Sequence, residues 1–163
     1  MAGKTTHIQM RVSQKEKKAL YGLSKKAKMG MSEWILEQIF PPQKEKWQQL
    51  VKQLASSQNP QFVLADINDV LTRTSSQEFS KISSEPPLAK LTPYWLNYLA
   101  AMVEYAASIK NVPPPEWIMT IPSLEKPVFG TELLSLRLHL LTHSPVPFRN
   151  RNIFIDSSLG DRI

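Results

Sequence analysis

The chain has 163 residues, 42% of them hydrophobic, with 20 Lys and Arg against 14 Asp and Glu and a net charge of +6. It has no cysteine, which excludes disulfides and cysteine-based zinc sites, and no apolar run approaches the ~20 residues of a membrane-spanning helix. The N-terminus also lacks the apolar core of a secretion signal, and together these features predict a soluble, cytoplasmic protein.

The first element is Thr5-Thr6-His7-Ile8-Gln9-Met10-Arg11-Val12-Ser13, in which polar and apolar side chains alternate with a period of two. On a strand that period places Ile8, Met10 and Val12 on one face and Thr5, His7, Gln9 and Arg11 on the other. A lone strand leaves its backbone groups unpaired, and no strand of matching character comes after it until the far end of the chain. The next segment has a helical pattern instead. Ser13 with Glu16 three residues on makes a capping box, and Lys15, Lys17 and Lys18 surround an apolar stripe at Leu20, Leu23 and Ala27. Gly30 breaks this run. Ser32 caps a second helix from Glu33 through Phe40, with Ile35 and Ile39 on one face, and Pro41-Pro42 closes it. A segment of this size is too small to hold a core alone. The competing reading is a basic tail ahead of a surface helix, but a tail has no reason to alternate so regularly before a capping box.

Four features therefore occur in order between Lys4 and Phe40: the alternating strand, the Ser13 cap, the amphipathic basic helix and the Gly30-Met31-Ser32 turn. This order resembles the ribbon-helix-helix DNA-binding family, the β-ribbon readers that include Arc and MetJ. The resemblance implies a homodimer in which two chains pair one strand each, antiparallel, to form a ribbon that enters the major groove of double-stranded operator DNA. On this chain the outward positions are Thr5, His7, Gln9 and Arg11. Arg11 could take guanine O6 and N7 as a bidentate donor, Gln9 could take adenine N6 and N7, His7 could donate or accept, and Thr5 could reach a base or a phosphate. The start of the second helix, near Ser32 and Glu33, resembles the family's phosphate clamp, which uses backbone N–H groups and the positive end of the helix dipole. Glu33 departs from that pattern, because a carboxylate there repels a phosphate unless it points away.

The charge distribution agrees with this placement. Residues 1–56 hold 11 Lys and Arg against 4 Asp and Glu, a net of +7, whereas residues 57–163 hold 9 and 10, a net of −1. The basic part contains the predicted ribbon, as a phosphate-binding module requires.

Beyond Pro42 the chain reads as helices separated by proline. Gln43 to Ser56 carries Trp47, Leu50, Val51 and Leu54 on one side, and a helix after Asn59-Pro60 carries Phe62, Val63, Ile67, Val70 and Leu71. The Ser- and Glu-rich stretch Thr74 to Pro87 reads as a linker and a candidate domain boundary, in competition with the break at Pro42. Thr92 caps and Pro93 opens the most apolar helix, Tyr94 to Lys110, with Trp95, Leu96, Leu99, Met102, Val103 and Ala106 as its stripe and Asn111 to Pro115 as its end. Gly130 to His143 is a leucine-rich last helix, followed by Pro145 and Pro147. Arg149 to Asp156 then reads as a short apolar strand or extended segment behind a basic turn. The expected fold is mainly α, with an N-terminal ribbon-helix-helix and a helical C-terminal region ending in a short extended tail. The expected division is residues 1–42 for DNA binding and dimerisation, 43–87 as helical connector and linker, and 88–163 as a partner-binding domain.

Catalytic signals are weak. His139 and His143 lie four apart on one helix, but Leu140 stands where a zinc-binding motif has Glu and no third ligand is evident. Glu104 and Asp156 are isolated acids that Arg137, Arg149 and Arg151 could pair with, and no phosphate loop or nucleophile elbow appears. No enzymatic activity, metal or cofactor is expected.

A second resemblance covers Val112 to Ile163. Its elements are Pro114-Pro115-Glu116-Trp117, Glu125-Lys126-Pro127-Val128-Phe129, Leu136-Arg137-Leu138, and Ser144 through Ile155 with its Phe-Arg-x-Arg-x-Ile-Phe core. This pattern is similar to a bacterial C-terminal region of small proteins encoded beside nucleotidyltransferase-like toxins. It implies a type II antitoxin whose ribbon represses its own operon and whose C-terminal region neutralises the toxin. Trp117, Phe129, Phe148 and Phe154 would then be interface anchors, with Arg149 and Arg151 reaching an acidic site on the toxin. The alternative is that the aromatics form the protein's own core and the arginines cap the preceding helix. The other functional reading is a stand-alone ribbon-helix-helix repressor whose C-terminal domain oligomerises or senses a ligand.

Overall fold

The structure, a computed structural model, describes residues 9–39 and 42–156. The chain divides between Pro41 and Pro42 into two compact units.

The first unit contains helices α1 (Gln14–Lys26) and α2 (Met31–Ile39). Ser13 starts α1 as a complete capping box. Its hydroxyl accepts the Glu16 N–H at 3.3 Å, and the Glu16 carboxylate accepts the Ser13 N–H at 2.7 Å. The helix ends at Lys26 with Ala27 as its C-cap, ahead of Gly30. Lys28 takes the left-handed conformation (φ 55°), while its own N–H and that of Met29 donate to the carbonyls of Lys25 and Ser24. Helix α2 begins one residue before the expected cap. The Gly30 carbonyl accepts the Trp34 N–H at 2.8 Å, which puts Ser32 inside the first turn. Among the described residues of this unit no hydrophobic side chain is buried, and the one buried residue is Ser24, whose hydroxyl donates to the Tyr21 carbonyl.

The strand expected to run to Ser13 is not formed by its described part. Residues 9–13 carry no strand pairing, and the only strands among the described residues lie far downstream. The physical reason is that one chain offers Gln9 to Val12 no second edge to pair with. Thr5, His7 and Ile8 lie outside the described residues, as does Phe40.

The second unit contains α3 (Pro42–Ser56), α4 (Pro60–Arg73), α5 (Ser76–Ile82), α6 (Pro93–Ile109), a 3-10 helix (Glu116–Thr120), β1 (Val128–Phe129), α7 (Leu134–His143), α8 (Val146–Arg149) and β2 (Ile153–Phe154). Mainly helical architecture with a small sheet is thus observed. The two strands pair in parallel, Val128 with Ile153 and Phe129 with Phe154. Gly130 continues the ladder by donating to the Phe154 carbonyl at 2.8 Å. A Cβ on it would stand 3.3 Å from Ile155 Cγ2. Because Gly130 is held in the ladder, the helix expected from Gly130 starts at Leu134, and a further short helix, α8, follows it.

Residues 43–87, expected as connector and linker, are part of the core. Trp47, Val51, Leu54, Ile67, Leu71, Phe79 and Ile82 are each no more than 2% exposed and pack with Leu99, Val103 and Ile118. The Ser-rich run that reads as a linker contains a second capping box, Ser75 with Glu78, and Ser75 serves to start α5. Helix α6 starts as expected, with the Thr92 hydroxyl accepting the Trp95 N–H and Pro93 in the first position. It ends through Asn111 in the left-handed conformation, and the adjacent Lys110 ammonium donates to the carbonyls of Thr72 and Thr74, closing the C-terminal end of α4.

Candidate nucleic-acid and partner interfaces

In the first unit the expected base readers are only partly placed. Gln9 and Arg11 are exposed, as are Met10 and Val12 beside them, while His7 and Thr5 fall outside the described residues. The capping box fixes how residues 9–12 enter α1, and its hydrogen bonds from the Ser13 backbone and hydroxyl hold the Glu16 carboxyl below its ordinary range. Exposed lysines follow along α1, and Lys25 lies over the Tyr21 ring at 5.6 Å. At the start of α2, Ser32 is exposed and the first amides have no intrahelical acceptor. Glu33, however, is folded back over that helix start, its carboxylate 3.9 Å from where a Gly30 Cβ would stand, so it competes with any phosphate there.

In the second unit the expected partner-binding residues divide between core and surface. Trp117 is buried and its indole N–H donates to the Ser83 carbonyl at 2.8 Å. Phe148 is buried edge-on against Tyr98, at 5.2 Å between ring centroids. Phe154 is buried and stacked on the half-buried Phe129. Arg151 is 7% exposed, and its two terminal nitrogens donate to the Asn97 side-chain oxygen (3.3 Å), the Glu104 carboxylate (3.4 Å) and the Ile118 carbonyl (3.1 Å). Asn97 completes the network by donating to the carbonyls of Pro93 and Pro122. Trp117, Phe148 and Phe154 are therefore buried within the protein itself, the alternative that the sequence left open for the aromatics, whereas Arg151 neither caps the preceding helix nor faces outward but ties α6 to the 3-10 helix. Arg149 and Phe129 remain partly exposed.

No family model, curated protein or solved structure matches this chain.

The chemistry on offer is therefore read from the chain's own surfaces. The His139 and His143 rings stack at 4.0 Å, with Asp156 4.0 Å from His139, yet among the described residues no group of three or more His, Cys, Asp or Glu side chains is placed to hold a metal. No described helix is long and apolar enough to cross a membrane. The surface that the sequence does not announce is α7. Leu140 is its one buried residue, while Leu134, Leu136, Leu138 and Leu141 are exposed. Leucines on every side of a ten-residue helix give no amphipathic direction, so the pattern does not say which face is covered.

Proposed function

We propose that the protein is the DNA-binding antitoxin of a type II toxin-antitoxin system, acting in the cytoplasm as a homodimer that represses its own operon and neutralises a nucleotidyltransferase-like toxin. One observation carries the DNA-binding half. Residues 9–39 bury no hydrophobic side chain of their own, yet expose Met10, Val12, Tyr21, Leu23 and Ile39. A basic helix pair in that condition needs a second body to bury its apolar side, and a copy of the same chain that supplies the missing strand answers both needs at once. In this reading Gln9 and Arg11, with His7 and Thr5, face the operator.

The test is binding of the full chain to DNA from upstream of its own gene. Arg11→Ala is expected to cost about 1–3 kcal/mol and to relax preference at one base pair, and affinity should fall steeply as salt rises. If Arg11→Ala and Gln9→Ala both leave affinity and preference intact, the ribbon assignment fails. Co-expression with the adjacent gene product tests the antitoxin half. Relief of growth arrest supports it, and arrest that persists leaves the stand-alone repressor.

A further inference from the structure

On α7, Leu134, Leu138 and Leu141 have the spacing i, i+4, i+7 and are 73%, 73% and 41% exposed, so they form one apolar stripe along the outer side of the helix. Leu133 before the helix and Val146 after it are more than half exposed as well. Exposed apolar side chains in register along one helix face are of the kind that interaction sites present.

The edges of the stripe say what fits it. Arg137 is three residues from Leu134 and four from Leu141, which makes it their neighbour on the helix surface, while Ser135 and Thr142 border the other side. The Arg137 guanidinium lies over the Phe129 ring at 4.9 Å, which fixes its position. Among the described residues its Nε is buried without a hydrogen-bond partner, and no carboxylate lies within ion-pairing distance of the guanidinium. Helix α7 itself contains no carboxylate. Two copies packed through this stripe would bring their Arg137 side chains toward one another with no carboxylate of α7 to offset them.

We propose that the α7 stripe is the docking surface for an amphipathic helix of a partner protein, whose apolar seam packs on Leu134, Leu138 and Leu141 and whose flanking carboxylate meets Arg137. The proposal rests on the partner-neutralising half of the function above and gives that half a surface. A helix lying along another helix matches the stripe's spacing, and a partly exposed guanidinium with no ion-pair partner among the described residues selects an acid at the border.

The probes are two synthetic helical peptides with the same leucine seam, one edged with Glu and the other with Lys, titrated against the full chain by fluorescence polarisation. The Glu-edged peptide is expected to bind saturably and at least about tenfold more tightly than the Lys-edged one, a preference the size of a charge-assisted contact. Arg137→Glu should reverse the order, and Leu138→Asp should abolish binding of both. Leu138 and Leu134 are exposed, so an unchanged thermal melt is expected for Leu138→Asp, and Leu134→Asp serves as the second seam variant. The proposal is overturned by no saturable binding, by equal binding of both peptides that Arg137→Glu leaves equal, or by Leu138→Asp lowering the assembly state of the peptide-free chain. It is also overturned if a chain ending at Asp156 binds the peptide while the full chain does not, since residues 157–163 are then the occupant. Operator binding by the unsubstituted chain is measured alongside. Its failure with peptide binding intact counts against the DNA-binding reading alone, and the reverse result counts against the stripe.

Discussion

Arg151 donates to three acceptors drawn from α6 and the 3-10 helix, so shortening its side chain strands all three at once. Arg151→Ala is expected to destabilise the second unit by about 3 kcal/mol, as for a broken buried ion pair, measured as a fall in the urea midpoint. The figure lies at the lower end of that class because the Glu104 side chain keeps 26% of its exposure. Backbone strain gives an opposite case. Lys28 holds φ 55° at the end of α1, where a Cβ is disfavoured, and Lys28→Gly should stabilise the first unit by about 0.5–1 kcal/mol in thermal melts followed by circular dichroism. Asn152 has a similar φ of 58°, but its amide also donates to the Leu124 carbonyl, so Asn152→Gly trades a lost hydrogen bond for relieved strain and is not expected to stabilise. None of this is visible in the sequence. Arg151 reads as a basic turn residue until the fold brings Asn97 and Glu104 to it, and the left-handed residue just past the helix end, Lys28, lies two residues before the glycine that marks a break in the sequence pattern.

At the scale of elements, the caps are the most legible features and the sheet the least. Ser13 with Glu16, and Thr92 with Pro93, start helices where their spacing says they should, because capping is a local interaction between residues a turn apart. The same pattern at Ser75 and Glu78 is hidden by surrounding serines, and it turns an expected linker into α5. Two-residue strands show no alternation, so the parallel pairing of β1 with β2 leaves no signature to read. The α1 cap also predicts a pH effect. The Glu16 carboxyl is held below its ordinary value near 4.5, so its stabilising contribution is complete above that value and is lost as acid protonates it in the folded chain. Helicity of the first unit should therefore fall on acidification below about pH 4.5. Glu16→Gln should flatten that dependence, and Ser13→Ala should cost about 1 kcal/mol at neutral pH.

For the whole molecule, the two units differ in what they can do alone. The second contains every buried hydrophobic side chain among the described residues, whereas the first contains none. A fragment of residues 42–163 is expected to unfold cooperatively, with a midpoint independent of protein concentration, followed by tryptophan fluorescence. In the full chain an additional transition belonging to the first unit should move to higher temperature as concentration rises, because the proposed dimer is stabilised by mass action. A first transition that ignores concentration would remove the second copy from the proposed function. The sequence foretells the poverty of the first unit through its small size and basic charge. The break at Pro42 is one of the two boundaries the sequence offers, and it is where the chain divides; the pattern alone does not choose it over Thr74 to Pro87, because a helix with one apolar side looks the same whether it joins a core or leads to one.

The reach of Arg151 also sets a timetable for synthesis. Its acceptors lie 54, 47 and 33 residues earlier, at Asn97, Glu104 and Ile118, so each emerges from the ribosome well before the side chain that will satisfy it. At ~5–20 residues per second the wait from Asn97 is about 3–11 s. The contacts within α1 and α2 are local and need no such delay. For those seconds the second unit stands unfinished, with three acceptors waiting for one side chain.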